Sequence, residues 1–304
     1  MTQRTFCAQI SEQIGDPIIG LAPHAGTWIM LENTDPWEWS AVLNNRLPDP
    51  VQRWYADTAN NYATNHTIAI FIRQHLKPLD RIRCFVAITE EHREALYRFE
   101  FQHYEELLDL DLAAIRAGHP QYEHYRTDKP IYLICTNGKH DACCAKFGMP
   151  VQKEAARLCG DQVWHCSHIG HDHFAANLLS FPHGVFYSRV RVPDVAPLLE
   201  ADRAGKLYLP KVRGRTKYTN VVQAAEILLR QRTQQVELTN LRLLEVTSTG
   251  ENTTTVCMQA RSGVTYTLVL HHRLHTITPP PCTCTNEARN YRFDFTLQSM
   301  HEER

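Results

Sequence analysis

The sequence predicts an α/β protein: two successive β-α-β-β-β-α units, then a small C-terminal antiparallel β meander. Three observations carry that prediction. β-branched or continuous apolar runs alternate with stretches of helical apolar spacing between residues 27 and 232. The order strand, helix, strand, strand, strand, helix occurs twice. Beyond residue 237 the pattern becomes β-branched and polar alternation broken by tight-turn residues.

In the first unit, TWIMLE (Thr27–Glu32) reads as a short buried strand, and TDPWEWS after it as a turn-rich loop. Residues 50–60 have helical spacing, with Val51, Trp54 and Tyr55 on one face. Residues 67–72, 83–88 and 95–101 read as strands. A helix follows over 105–117, with Leu107, Leu108, Leu110, Leu112 and Ile115 as its apolar residues and Gly118 capping its end. In the second unit, Ile131–Cys135 is a continuous apolar strand, 151–159 a helix stopped by Gly160, and 163–167 a strand. Residues 176–181 and 185–190 read as a hairpin turning at Pro182-His183-Gly184, and 220–232 as the closing helix. The meander comprises 241–248, Thr253–Ala260 and 264–270, separated by TGEN and SG turns. The Pro-rich stretch TPPPCTCTN follows, carrying Cys282 and Cys284.

Repetition of the element order predicts a duplicated thioredoxin-like architecture, a central sheet flanked by helices. Residue identities do not repeat visibly, so the duplication rests on order alone. The expected division is 1–125, a thioredoxin-like domain without ligands; 126–235, a ligand-bearing one; and 236–304, the β subdomain and tail.

Composition narrows the function. Apolar residues are 43% and charged residues 21%, ordinary for a globular chain. A net charge of −1 gives no global field toward nucleic acid or anionic membrane, so neither is an expected partner. The local basic cluster Lys211, Arg213, Arg215 and Lys217 reads as a solvated loop. No apolar run approaches the ~20 residues a spanning helix needs. The opening MTQRTFCAQI lacks the apolar core of a secretory signal. A cytoplasmic protein is therefore expected, and its ten cysteines are not read as a disulfide framework.

The placement of the cysteines is informative. Cys135, Cys143, Cys144, Cys159 and Cys166 share one short window with His140, His165, His168, His171 and His173. In YLICTNGKHDACC a buried strand ends at Cys135, and Cys144 sits near the start of the next helical region. Thiolates there gain from the positive end of a helix dipole. In WHCSHIGHDHFAAN, His168 and Asp172 are four apart, and Gly170 permits a tight turn between them. Soft thiolates with imidazoles suit zinc or iron–sulfur, not magnesium or calcium. Cys166 reads as core-facing, and Cys7, Cys84, Cys159 and Cys257, in apolar surroundings, as structural.

These two segments resemble the paired motifs of the sucrase/ferredoxin-like family, roughly C-x-x-G-x-R-D-x-x-C and then S-H-x-G-G-H-x-F-A-x-N. TWIMLE, FPHGVFYSRV and GRTKYTNVVQAAEILLR extend the resemblance over most of the chain. It implies a thioredoxin-like ferredoxin holding a [2Fe-2S] cluster through two Cys and two His. By position the ligands are Cys135, Cys144 and His168, and the fourth position holds Asp172. The second glycine of the motif is His171 here, and the arginine before Asp141 is His140. The fourth ligand is therefore Asp172, His171, His173, Cys282 or Cys284. No carboxylate pair stands out as a glycosidase acid and base.

The expected function is electron transfer with a separate redox partner protein or a small-molecule reductant, because no G-x-G-x-x-G follows a strand. Zinc binding, structural or hydrolytic, is the first alternative, since two Cys, one His and one Asp or His make a tetrahedral set. A thiol–disulfide oxidoreductase is the second. It lacks a C-x-x-C, and adjacent Cys143 and Cys144 would strain a disulfide.

Overall fold

A computed structural model describes residues 5–276 and 291–303. It is a mixed α/β structure with a nine-stranded sheet and a separate four-stranded antiparallel sheet.

Helix α1 (Cys7–Gln13) precedes strand β1 (Thr27–Glu32), helix α2 (Asp49–Asn60) and the single turn α3 (Tyr62–Asn65). Strands β2 (Thr67–Arg73), β3 (Ile82–Glu90) and β4 (Arg93–Phe101) follow. The helix predicted over 105–117 is broken into a 3-10 turn (Tyr104–Asp109) and a short α4 (Leu112–Ala117). The break is a capping event: the Asp111 carboxylate accepts the Ala114 N–H at 2.9 Å and starts a new helix. Gly118 ends it with φ 73°, as the sequence predicts.

The second half runs β5 (Ile131–Cys135), α5 (Ala142–Cys159), β6 (Val163–Cys166), β7 (Leu178–Phe181), β8 (Val185–Tyr187), α6 (Val192–Arg203), β9 (Val212–Arg215) and α7 (Asn220–Thr233). Helix α5 begins nine residues before its predicted start, because it absorbs Pro150 instead of starting after it. That earlier start puts Cys143 and Cys144 in its first turn. Helix α6 and strand β9 have no counterpart in the sequence reading. Pro197 inside α6 conceals the helix. The basic run of β9 conceals a buried strand.

The large sheet has the order β4-β3-β1-β2-β6-β5-β7-β8-β9. β1 pairs β2 parallel and β3 antiparallel, and β3 pairs β4 antiparallel. β5 pairs β6 parallel and β7 antiparallel, and β7 pairs β8 antiparallel. The halves meet at β2 and β6, where Ile72 faces Cys166 and Arg73 faces His165. Strands in the middle are covered on both sides, which is why TWIMLE and IYLIC are continuous apolar runs. Ile29 and Leu31 enter the core beneath α2, and Trp28 and Met30 enter a second core with Trp164, Cys135, Cys144 and Cys166.

The basic cluster 211–217 is not a solvated loop. Arg213 and Arg215 lie on β9 with side chains almost wholly buried, and Lys217 is nearly so. The carboxylates that neutralise Arg215 and Lys217 come from distant elements: Glu94 on β4 and Glu226 on α7 bind Arg215, and Glu94 binds Lys217. Arg213 instead donates to the Leu21 carbonyl.

The meander has four strands, not three: β10 (Leu241–Gly250), β11 (Thr253–Ala260), β12 (Thr265–Thr276) and β13 (Tyr291–Glu303), paired in that order. Val256, Met258, Leu268 and Leu270 pack onto Val222, Ala225 and Leu229 of α7. No helix among the described residues is long and apolar enough to cross a membrane.

Candidate metal centre

The site forms where β5 ends and α5 begins. Cys135 is the last residue of β5, and its N–H donates to the Asn177 carbonyl at 3.2 Å. The loop after it is organised by Asn137, whose Oδ1 accepts the N–H groups of Lys139 (3.2 Å) and His140 (3.3 Å). Asp141 then caps α5 by accepting the Cys143 N–H at 2.6 Å. Cys144 therefore occupies the first turn, with its own N–H donating to the Asp141 carbonyl at 3.1 Å.

Gly148, one turn further along α5, sets the distance between helix and strand. A Cβ there would lie 2.1 Å from the Cys135 carbonyl oxygen, a backbone atom that cannot swing aside. Gly148→Ala is expected to push α5 off the end of β5, separate Cys144 from Cys135, and cost about 1–3 kcal/mol as overpacking does. Metal content measured beside urea unfolding checks this; full metal retention with unchanged stability would contradict it.

The second wall is the loop after β6. Ser167 ties it to β2: its N–H donates to the Phe71 carbonyl (2.8 Å) and its Oγ accepts the Phe71 N–H (3.1 Å). Gly170 has φ 93° and His171 φ 54°, so the chain reverses sharply here. The Asn177 amide holds the reversal by donating to the carbonyls of Gly170 (3.2 Å) and His171 (3.0 Å). Ser188 Oγ donates to Asn177 Oδ1 at 2.6 Å and fixes the amide.

These walls bring Cys135, Cys144 and His168 together, with ligand atoms all within 4.8 Å of one another. Cys144 Sγ lies 3.7 Å from His168 Nδ1. A hydrogen bond from Cys144, with His168 beside it, holds Cys135 well below the ordinary thiol range despite complete burial. Cys144 is pushed up by that same bond and by burial.

His168 also belongs to a second group with His140 and Asp172, again within 4.8 Å. The rings of His140 and His168 are stacked, 3.4 Å between centroids at 17°. Trp39, from the TDPWEWS loop, stacks on His140 at 5.2 Å, and its carbonyl lies 2.9 Å from His140 Nδ1. Burial and the neighbouring His168 lower the pKa of His140 and favour its neutral, ligating form.

Asp172 is adjacent to His168, as the sequence spacing implies, but its Oδ2 also accepts from Cys7 Sγ at 3.3 Å. Cys7 is thus not an isolated structural cysteine: its sulfur lies 3.3 Å from Cys143 Sγ as well. Helix α1 carries it over the site from far away in sequence. His171 and His173 pack on each other and on Phe174, and neither joins a three-donor group among the described residues. His165 is turned toward Thr136 Oγ1 at 3.1 Å; burial, with Arg73 nearby, lowers its pKa to about 4. Cys166 faces the core as predicted, and Cys84 is fully buried. Cys282 and Cys284 lie outside the described residues.

The sequence reading missed His140 and Cys7 as members of the site. His140 carried a signal, since it stands where the family motif has arginine and lies in the His-rich window. Cys7 carried none, because nothing local marks a cysteine in CAQISEQ as a neighbour of residue 172.

The fold and site define a mixed α/β protein with a thiol–imidazole donor group at a strand end. The chain belongs to the sucrase/ferredoxin-like family, whose profile matches residues 18–214, well over half its length. TWIMLE and both motif segments fall inside that match, whereas most of GRTKYTNVVQAAEILLR lies beyond it. No curated protein and no solved structure matches the chain.

Proposed function

We propose that the chain is an electron-transfer protein whose [2Fe-2S] cluster is held by Cys135, Cys144, His168 and Asp172. The observation that carries this reading is the group of two buried cysteines and His168 within 4.8 Å at the N-terminus of α5. Its donor chemistry fits a soft metal centre: two sulfurs and an imidazole, with a carboxylate and a second imidazole in reserve. When bound, such a cluster supplies a one-electron couple whose potential rises where imidazole replaces thiolate. The protein's own contribution is geometric. Asp141 and Gly148 place Cys144 against Cys135, Asn177 fixes the loop carrying His168, and Trp28, Trp164 and Ile169 close the apolar side.

The reading includes a duplicated thioredoxin-like architecture. Its support is that β4-β3-β1-β2 and β8-β7-β5-β6 share one order and one set of strand directions. Residues 1–125 would then supply the rim, through Trp39, and residues 126–235 the ligands, with 236–304 a separate β subdomain. It also includes a cytoplasmic, reducing setting, since the ligands must be free thiols, and a separate protein or small-molecule reductant.

Zinc is the second reading, because ligand atoms within 4.8 Å of one another also suit a single tetrahedral ion. The test is metal analysis with electron paramagnetic resonance of the reduced, anaerobically purified chain. The cluster reading expects a red-brown protein with about two irons per chain and a signal on reduction. A colourless protein carrying zinc would replace it. Asp172→His is expected to keep the iron and shift the spectrum. An unchanged spectrum in both Asp172→His and Asp172→Ala would move the fourth position to His140, or to Cys282 or Cys284.

A further inference from the structure

Cys143 and Cys144 are consecutive on α5, and side chains one residue apart on a helix diverge by about 100°. Cys144 faces Cys135 and His168, whereas Cys143 faces away from them, toward Cys7. The ligand atoms of Cys7, Asp141 and Cys143 all lie within 4.8 Å of one another. Cys7 Sγ is 3.3 Å from Cys143 Sγ and 3.3 Å from Asp172 Oδ2.

Asp141 supplies an independent observation. Its side chain is buried, 2% exposed. One oxygen is used in capping Cys143, and the other, Oδ2, is buried with no hydrogen-bond partner. A buried carboxylate oxygen left in that state is costly, and a bound cation relieves the cost without moving the helix cap. The spacing suits one. A tetrahedral zinc-class ion with sulfur at about 2.3 Å and oxygen at about 2.0–2.2 Å has ligand–ligand edges of roughly 3.5–3.8 Å. The 3.3 Å contacts need only a small expansion to reach that range.

We propose that Cys7, Cys143 and Asp141, completed by Asp172, form a second site for a thiophilic divalent cation of the zinc class. Three of its ligands are its own. Asp172 has two carboxylate oxygens, one for each site, and so stands between the two metals. The cation ties α1 to the first turn of α5, which carries the ligands of the neighbouring centre. The proposal takes from the cluster reading only the shared Asp172.

Cobalt(II) is the probe, because thiolate-bound cobalt gives a sulfur-to-metal charge-transfer band that zinc removes by competition. The full-length chain with its neighbouring centre disabled, Cys135→Ser with Cys144→Ser, is expected to bind one equivalent with a two-thiolate band. Adding Cys7→Ser or Cys143→Ser should remove the band, and Asp141→Asn, which still caps the helix, should weaken binding. Should the double variant not fold, the natural chain as purified is used. Cys7→Ser then loses zinc or cobalt while keeping its iron. A band that survives Cys7→Ser overturns the proposal, as does a Cys7–Cys143 disulfide in protein isolated under reducing conditions. Failure of the cluster reading shows differently: a chain without iron whose cobalt band still depends on Cys7 and Cys143.

Discussion

If the proposed cluster is bound, serine at Cys135 or at Cys144 is expected to abolish iron binding, while Cys257→Ser and Cys84→Ala leave the metal content intact. Hydroxyl oxygen is a poorer partner for iron than thiolate, and these two sulfurs are the pair that the end of β5 and the start of α5 bring together. Losing an outer-shell partner of a metal ligand already costs about 10–100-fold in affinity, and removing the ligand itself exceeds that. The controls separate ligation from packing. Cys84 is as deeply buried as Cys135, so Cys84→Ala shows what a small cavity in the core does by itself. Cys257 lies half-buried on the separate antiparallel sheet. Iron analysis and the visible spectrum of each variant, with circular dichroism to confirm the fold, decide the matter. A Cys135→Ser chain with a full complement of iron would remove Cys135 from the site.

What could be read from the sequence was what local pattern encodes. Thr27–Glu32 and Ile131–Cys135 are strands to the residue, because chain covered on both faces reads as a continuous apolar run. Cys135 was legible as the end of a local apolar run, whereas the start of α5 was placed nine residues late, and Cys144 and His168 were singled out by their residue types and by the spacing of the family motifs. What was not legible depends on partners remote in sequence. Arg213 and Arg215 look like loop until Glu94 and Glu226 arrive to neutralise Arg215, and Arg213 stacks between Phe174 and Phe186. Helix α6 survives Pro197 because Val195, Leu198 and Leu199 are buried in the core beneath it, a tertiary gain that outweighs propensity. Cys7 reaches the site only because α1 folds back over it. Ser11 on that helix accepts from Arg189, and Glu12 pairs with Arg191, across more than 170 residues.

The largest stability effect is expected at Glu226, which holds the buried charges between the two sheets. Its Oε1 accepts from Arg215 Nη1 at 3.1 Å and from Arg230 Nη2 at 2.9 Å, and all three side chains are essentially inaccessible. Arg215 continues to Glu94 on β4, and Arg230 to the carbonyls of Gln235, Glu237 and Leu238, where the chain enters the second sheet. Glu226→Ala leaves Arg230 buried without its carboxylate and Arg215 with Glu94 alone, and breaking a buried ion pair from one side costs about 3–5 kcal/mol. Replacing the pair together, Arg215→Met with Glu226→Leu, is expected to cost less, since no unpaired charge remains on Arg215 and Arg230 keeps its carbonyls. Urea unfolding of the single and double variants measures the difference. The same site fixes a pH dependence. Burial alone would raise Glu226, but Arg215 and Arg230 outweigh it and hold the carboxyl below its ordinary range. Burial is likewise outweighed at Glu94, by His183, Arg215 and Lys217. A carboxylate depressed in the folded state contributes stability that is fully present above its unfolded pKa, about 4.3, and is lost as pH falls through the folded value. The natural chain should therefore hold its unfolding midpoint down to about pH 5 and lose stability below it. Glu226→Gln should be less stable at neutral pH and show a shallower acid slope. An acid slope identical in both proteins would mean that Glu226 enters the folded state already protonated.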